Sequence, residues 1–184
     1  CEAVLSVLHH SIPCVKIEVL DSSSIIAFNQ YNKSQANLPD QPHLFIELSD
    51  PTEEGLRSQE SLVKDILSFS SRTTPSFSTD PASIKSLWAA RHSTYYASCS
   101  LRPNSKGLVT DVCVPISQLS TLMSETVNDV EAAGVVGPCF GHAGDGNFHC
   151  ILPLLPNDPQ EYVEKVSAVN KRLVERAIEM GGTC

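Results

Sequence analysis

Apolar residues recur along this chain in two rhythms, short extended runs and longer helical stripes, and their alternation lays out the elements. Residues 2–10, EAVLSVLHH, carry apolar groups at helical spacing. PCVKIEVLD (13–21) is then a β-branched run, and Asp21 at its end is placed to cap a helix over SSSIIAFNQY. The polar, proline-bearing NKSQANLPDQP predicts a loop, and HLFIELSD (43–50) a second buried strand. Ser58 to Phe69 predicts a helix opened by a capping box at Ser58, with Leu62, Val63, Ile66 and Leu67 on one face.

Residues 70–82, rich in Ser, Thr and Pro, predict a mobile loop or a short edge strand. One helix is expected through SIKSLWAARHSTYYASCS, with Ile84, Leu87, Trp88, Arg91 and Tyr95 close to one face and RPNSKG ending it. LVTDVCVP (108–115) predicts a strand stopped by Pro115, followed by a helix capped by Ser117 and closed by Gly134. After a strand–turn–strand segment comes a last helix, capped by Asn157 or Asp158, with Pro159 in its first turn. Its expected stripe is Tyr162, Val163, Val166, Val169, Leu173 and Ile178, and Gly181 stops it. Short strands, two of them in a tight hairpin, predict an α+β fold in which helices cover an antiparallel sheet.

Composition narrows the function classes. A length of 184 residues suits one domain, and no apolar run approaches the roughly 18–20 residues of a membrane span. A formal charge of −8, with scattered Lys and Arg, argues against a nucleic-acid partner. The seven cysteines form no CxxC pair, and Cys113, Cys139 and Cys150 fall in apolar runs, as buried reduced thiols do. The chain opens on Cys1 without Met and ends at MGGTC, which predicts a fragment of a longer protein.

Candidate chemistry concentrates in PCFGHAGDGNFHCILPL (138–154), where His142 and His149 flank an Asp-Gly pair. Asp-Gly between apolar runs signals a two-residue type I′ turn. That turn would set His142 directly opposite His149 on one sheet face, close enough for both imidazoles to reach one ion. Gly141 and Gly144 would open the approach to a substrate or to backbone. A stacked cross-strand pair serves the same pattern, and two ligands do not complete a site. No third ligand is evident, since Asp145 sits at the turn tip and His92 on a helix.

GHAGDGNFH resembles the Gly-His-x-Gly-Asp-Gly-Asn-x-His signature of the flavin-dependent D-2-hydroxyacid dehydrogenases. LWAARH and KGLVTDVCVP are similar to its flanking blocks in the mitochondrial, cytochrome-linked D-lactate branch. The resemblance implies an FAD-linked oxidase C-terminal domain of ferredoxin-like type, partial over 1–184, with the N-terminal FAD-binding domain and the extreme C-terminus absent. It implies FAD, a divalent metal such as zinc or manganese held by His142 and His149, and a third ligand and catalytic base in a Glu-His-Gly block beyond Cys184. Arg91 matches the arginine that holds the substrate carboxylate, and Asn147 and Tyr95 are the further substrate-binding candidates. Lys106 and Asp111 lie in the matching block, the first as a loop cation and the second as a strand-end group or an outer partner of the metal ligands.

The expected reaction is metal-assisted oxidation of a small D-2-hydroxy acid such as D-lactate to the 2-oxo acid. Hydride passes to FAD, the onward acceptor implied is one such as cytochrome c, and the location implied is mitochondrial; this segment alone is expected to be inactive. The apolar LVTDVCV favours a small or aliphatic substrate side chain. A module that binds metal or small molecules without redox activity is the second reading.

Overall fold

The computed structural model describes residues 2–32, 38–70 and 75–184. Its elements are α1 (Glu2–His9), β1 (Cys14–Leu20), α2 (Ser22–Tyr31), β2 (His43–Leu48), α3 (Glu53–Ser70), α4 (Pro81–His92) and α5 (Thr94–Ser100). They continue as β3 (Lys106–Val109), β4 (Val112–Cys113), α6 (Ile116–Ala133), β5 (Cys139–His142), β6 (Asn147–Leu154) and α7 (Gln160–Glu179). Every strand pairing is antiparallel, in the order β2-β1-β5-β6-β3 with β4 also on β6. This is the expected helix-covered antiparallel sheet. No described helix is long and apolar enough to cross a membrane.

Strand side chains alternate between faces, and each face has its own core. On one, Ile17, Cys139, Phe148, Cys150 and Leu152 pack with Val4, Val63, Leu119, Leu122, Val166 and Leu173 from α1, α3, α6 and α7. Phe148 is fully buried there, a burial that contributes about 1.5–3 kcal/mol. On the other face, Leu20, Phe140 and Ile151 pack with Ile25 of α2, Phe45 of β2 and Cys99 of α5. This second core is small, and polar groups share its face.

Several local expectations are revised. α3 begins at Glu53, so Ser58 is an interior residue. Its start is organised by Asp50, which accepts from the Thr52 amide at 2.9 Å, and by the Thr52 hydroxyl, which accepts from Gly55 N at 3.0 Å. Leu62 is exposed while Val63, Ile66 and Leu67 are buried. Ser117 caps nothing: α6 starts from Pro115 without a side-chain cap, and Gly134 closes it in the left-handed region at φ 64° as expected. α7 likewise starts from Pro159, because Asp158 is engaged by Arg102 and by Leu155 N at 2.7 Å. Ile178 is exposed and Ala177 takes the core position.

The single helix expected through Arg91 and Tyr95 is two, divided at Ser93. The Thr94 hydroxyl donates back to the carbonyls of Ala90 and Arg91 at 2.8 and 2.9 Å, the kind of back-bonding that bends helices. Ile84 and Leu87 are exposed, so the predicted stripe is not a core face. Asp21 caps α2 as expected, accepting from Ser24 N at 2.7 Å. The strand over 108–115 is interrupted at Thr110–Asp111, yet β3 and β4 hold one register along β6. Cys139 and Cys150 are buried free thiols, and Cys113 is half-buried. The loop expectation at 32–42 falls partly, and that at 70–82 partly, outside the described residues.

Candidate active site

The polar cluster grows from β1. In CVKIEVL, Lys16, Glu18 and Leu20 alternate onto the face with the smaller core, and Glu18 is 5% exposed. A carboxylate so buried needs hydrogen-bond donors. Pairing of β1 with β5 sets Glu18 across from His142, whose Nδ1 lies 2.6 Å from Glu18 Oε1. The last turn of α4 brings Arg91 over the same strand, and its Nε donates to Oε2 at 2.7 Å. The Arg91 guanidinium also lies over the Phe140 ring, 4.8 Å from its centre, a favourable cation–π placement.

The hairpin carries both histidines, with a register that differs from the expected one. β5 ends at His142 and β6 begins at Asn147, so the loop is Ala143–Gly146 and Phe140, not His142, stands opposite His149. Asp145 N donates to His142 O at 3.0 Å, and Gly146 alone in the loop takes positive φ, 77°. A type I′ turn would need Asp145 there as well. The loop is tied to both flanks, Gly144 N to Ile17 O at 3.3 Å and Val114 N to Gly146 O at 3.0 Å, which selects the longer form.

Sliding by one residue on each strand preserves the face. The two rings therefore still meet, diagonally, with centres 6.1 Å apart and planes at 86°. Gly141 serves the backbone: a Cβ there would sit 2.3 Å from Phe148 Cα. Gly144 meets only ordinary contacts with Ile17.

β3 and β4 complete the cluster. Asp111, at their junction, lies 3.4 Å from His149 Nδ1 and accepts from Asn147 Nδ2 at 2.7 Å. Asn147 also donates to Val112 O at 3.1 Å, and His149 Nδ1 lies 3.3 Å from Thr110 O. Carbonyl and carboxylate oxygens only accept, so each histidine bonds through a protonated Nδ1, which in a neutral ring leaves the lone pair on Nε2. Metal-ligating histidines have this arrangement, in which an outer carboxylate or carbonyl fixes the tautomer. Two imidazoles sharing one ion through bonds of about 2.0–2.1 Å at a tetrahedral angle bring their ring centres to about 5 Å, closer than the 6.1 Å here. By residue type and by their outer partners the two histidines suit two positions of a metal shell, and the rings would have to close by about 1 Å to share it. Among the described residues no group of three metal-competent side chains converges.

Four predicted residues, Arg91, His142, Asn147 and His149, fall in this cluster. Tyr95 is placed elsewhere on the sheet: its ring packs edge-on to Tyr96 at 5.4 Å, and a Cβ on Gly107 would come within 3.0 Å of it. The neighbouring Cys99 thiol raises its hydroxyl pKa. Lys106 is an exposed edge-strand residue, opposite Leu154. Sequence reading missed Glu18 entirely and gave Asp111 no partner. The available signal was alternation, because in KIEVL a lone carboxylate takes the same side as Leu20.

The sequence model of the family described as FAD linked oxidases, C-terminal domain, matches residues 1–184. A zebrafish (Danio rerio) protein named probable D-lactate dehydrogenase, mitochondrial, is 37% identical over 183 residues, covering 100% of this chain and 36% of its own length. An Arabidopsis thaliana protein named D-lactate dehydrogenase (cytochrome), mitochondrial, is 31% identical over 183 residues, with 100% and 32% covered. The chain therefore spans about a third of the length of these relatives. Among solved structures, 4-ethylphenol oxidase from Gulosibacter chungangensis, in complex with isoeugenol, superposes with a TM-score of 0.56 at 14% identity, over 91% of this chain and 38% of that one. That likeness concerns the fold.

Proposed function

Because the chain belongs to the FAD linked oxidases, as their C-terminal domain, we propose that it forms the substrate side of a flavoenzyme oxidising a small D-2-hydroxy acid. D-lactate is the first candidate, and the product is the 2-oxo acid. The observation that carries the reading is the convergence of Arg91 and His142, from a helix and a distant hairpin, on the buried carboxylate of Glu18. Similarity to mitochondrial and cytochrome-type D-lactate dehydrogenases supports a mitochondrial location and an acceptor such as cytochrome c.

Arg91 binds the substrate carboxylate. Its Nε is taken by Glu18, and among the described residues Nη1 and Nη2 make no hydrogen bond, which leaves one edge of the guanidinium fork for a second carboxylate. His142 and His149 are the residues that would hold a divalent metal such as zinc or manganese, and Asp111 and Thr110 steady His149 from behind. Asn147, held by Asp111, shapes the wall between them. Phe140 and Ile151 pack in the small core beneath this face, and apolar surroundings of this kind suit a short aliphatic side chain. When bound, the flavin supplies the hydride acceptor and the metal a Lewis acid for the substrate's carboxylate and hydroxyl oxygens. FAD is assigned mainly to an N-terminal domain, and the third ligand and base to a Glu-His-Gly block, which no residue of this chain supplies.

The test is anaerobic mixing of the full-length, flavin-loaded protein with D-lactate, L-lactate and other short 2-hydroxy acids. D-lactate or a close D-2-hydroxy acid should bleach the oxidised flavin band, with the L-enantiomer far slower. A flavin left oxidised by every D-2-hydroxy acid tried would remove the proposal.

A further inference from the structure

The strongest unassigned feature is Glu18 itself. It is 5% exposed, and each of its oxygens takes a different donor, His142 Nδ1 on Oε1 and Arg91 Nε on Oε2, at 2.6 and 2.7 Å. These partners lie 124 and 73 residues away in sequence. The carboxylate stands on the middle of β1, a strand paired on both sides, by β2 and β5. A structural ion pair with Arg91 alone would need only one of those oxygens.

We propose that Glu18 is a positioning residue that couples the carboxylate-binding arginine to the metal-binding histidine. This rests on the functional reading above and adds a residue and a task to it. Two constraints follow from one group. The carboxylate fixes His142 with its proton on Nδ1, keeping the Nε2 lone pair for the metal. It also holds the Arg91 fork by its Nε edge, so that the Nη edge meets the substrate at a set distance from that metal.

Chemistry makes Glu18→Gln a sharp probe. An amide has one accepting oxygen and one donating nitrogen, so it cannot accept from both Arg91 and His142. With its oxygen on Arg91, its NH₂ faces Nδ1 of His142, which can accept only by moving the ring proton to Nε2, where it blocks the metal. With its oxygen on His142, two donors face each other at Arg91 and the fork is displaced. Glu18→Asp keeps two accepting oxygens and tests whether that pattern suffices.

The experiment uses the full-length, flavin-loaded protein with three readouts: zinc and manganese affinity, KM and kcat for D-lactate, and ¹H–¹⁵N correlation spectra of the histidine rings in metal-free protein. Expected for Glu18→Gln is a 10- to 100-fold weaker metal site, the scale typical of outer partners of metal ligands, or a KM rise of about tenfold, with FAD content unchanged. His142 should carry its proton on Nδ1 in wild type and in Glu18→Asp. Wild-type values for metal affinity, KM and tautomer in Glu18→Gln would overturn the proposal. If that variant does not fold, Nε2-protonated His142 in the wild-type spectrum overturns it equally. Retention of metal by His142→Ala, or a flavin that no hydroxy acid reduces, counts against the functional reading, and the ring spectra still decide the role of Glu18.

Discussion

His142 and His149 place their rings 6.1 Å apart and nearly perpendicular, on one face of the sheet but on different rungs of the hairpin ladder. The rung opposite His149 belongs to Phe140, whose ring lies 5.6 Å from that imidazole and also beneath the Arg91 guanidinium. The diagonal arrangement gives each histidine its own outer partner, Glu18 for one and the Thr110–Asp111 junction for the other. The geometry makes the loop that sets this register a determinant of the whole site.

Gly146 is the position in that loop least open to change. Its φ is 77°, and a Cβ would sit 2.0 Å from the Val114 carbonyl oxygen. A non-glycine residue in that region costs about 1–3 kcal/mol before any clash. For a chain of this size each kcal/mol lowers the melting temperature by about 2–4 °C. Gly146→Ala should therefore melt several degrees lower and lose metal affinity with it, read by thermal unfolding and elemental analysis. An unchanged melting temperature would mean that the loop adopts another form.

Arg91→Lys tests the fork. Lysine keeps the charge but offers one ammonium where the guanidinium serves Glu18 and the substrate from different edges. Loss of one charge-assisted hydrogen bond, about 1.5–3 kcal/mol, predicts a KM for D-lactate raised roughly tenfold to a hundredfold, with bound FAD and metal retained. Steady-state kinetics with an artificial electron acceptor measure it. A KM equal to wild type would take substrate binding away from Arg91.

Asp21 governs a pH dependence of stability. Burial pushes its carboxyl up to about 6 from an ordinary 3.8, against the lowering effect of hydrogen bonds from Ser24 and the Cys139 backbone. The folded state holds this proton more tightly than the unfolded state. The associated stability is therefore fully present below about pH 3.8 and is lost as pH rises through about 6. The difference is on the order of 3 kcal/mol. Asp21→Asn, which retains a cap acceptor, should flatten that slope and be the more stable protein at neutral pH. Denaturant unfolding across this window decides it, and parallel slopes for the two proteins would assign the dependence to other groups.

Much of the architecture is legible in local pattern. The β-branched run CVKIEVL, the Asp21 cap and the Gly134 and Gly181 stops all have causes confined to a few neighbouring residues, and the structure reproduces them, whereas HLFIEL, expected as a buried strand, is a half-buried strand at the sheet edge. Element starts that depend on side chains being free were misplaced: Asp158 is a good cap by type, but Arg102 claims it from 56 residues away. The division of α4 from α5 turns on which way one threonine hydroxyl, that of Thr94, donates. Pattern alone does not choose that direction.

The site divides the same way. By itself the sequence determined that His142 and His149 share a face of a hairpin, because strand periodicity of two survives a register slide of one residue on each strand. It also marked Arg91 and Asn147 through the family signature. Only the tertiary structure decided which rung each histidine occupies, because the loop is fixed by hydrogen bonds to Ile17 on β1 and to Val114 just past β4. It alone joined Glu18 to Arg91 and His142, since a buried carboxylate takes the donors that packing delivers, and packing is set by contacts far apart in the chain.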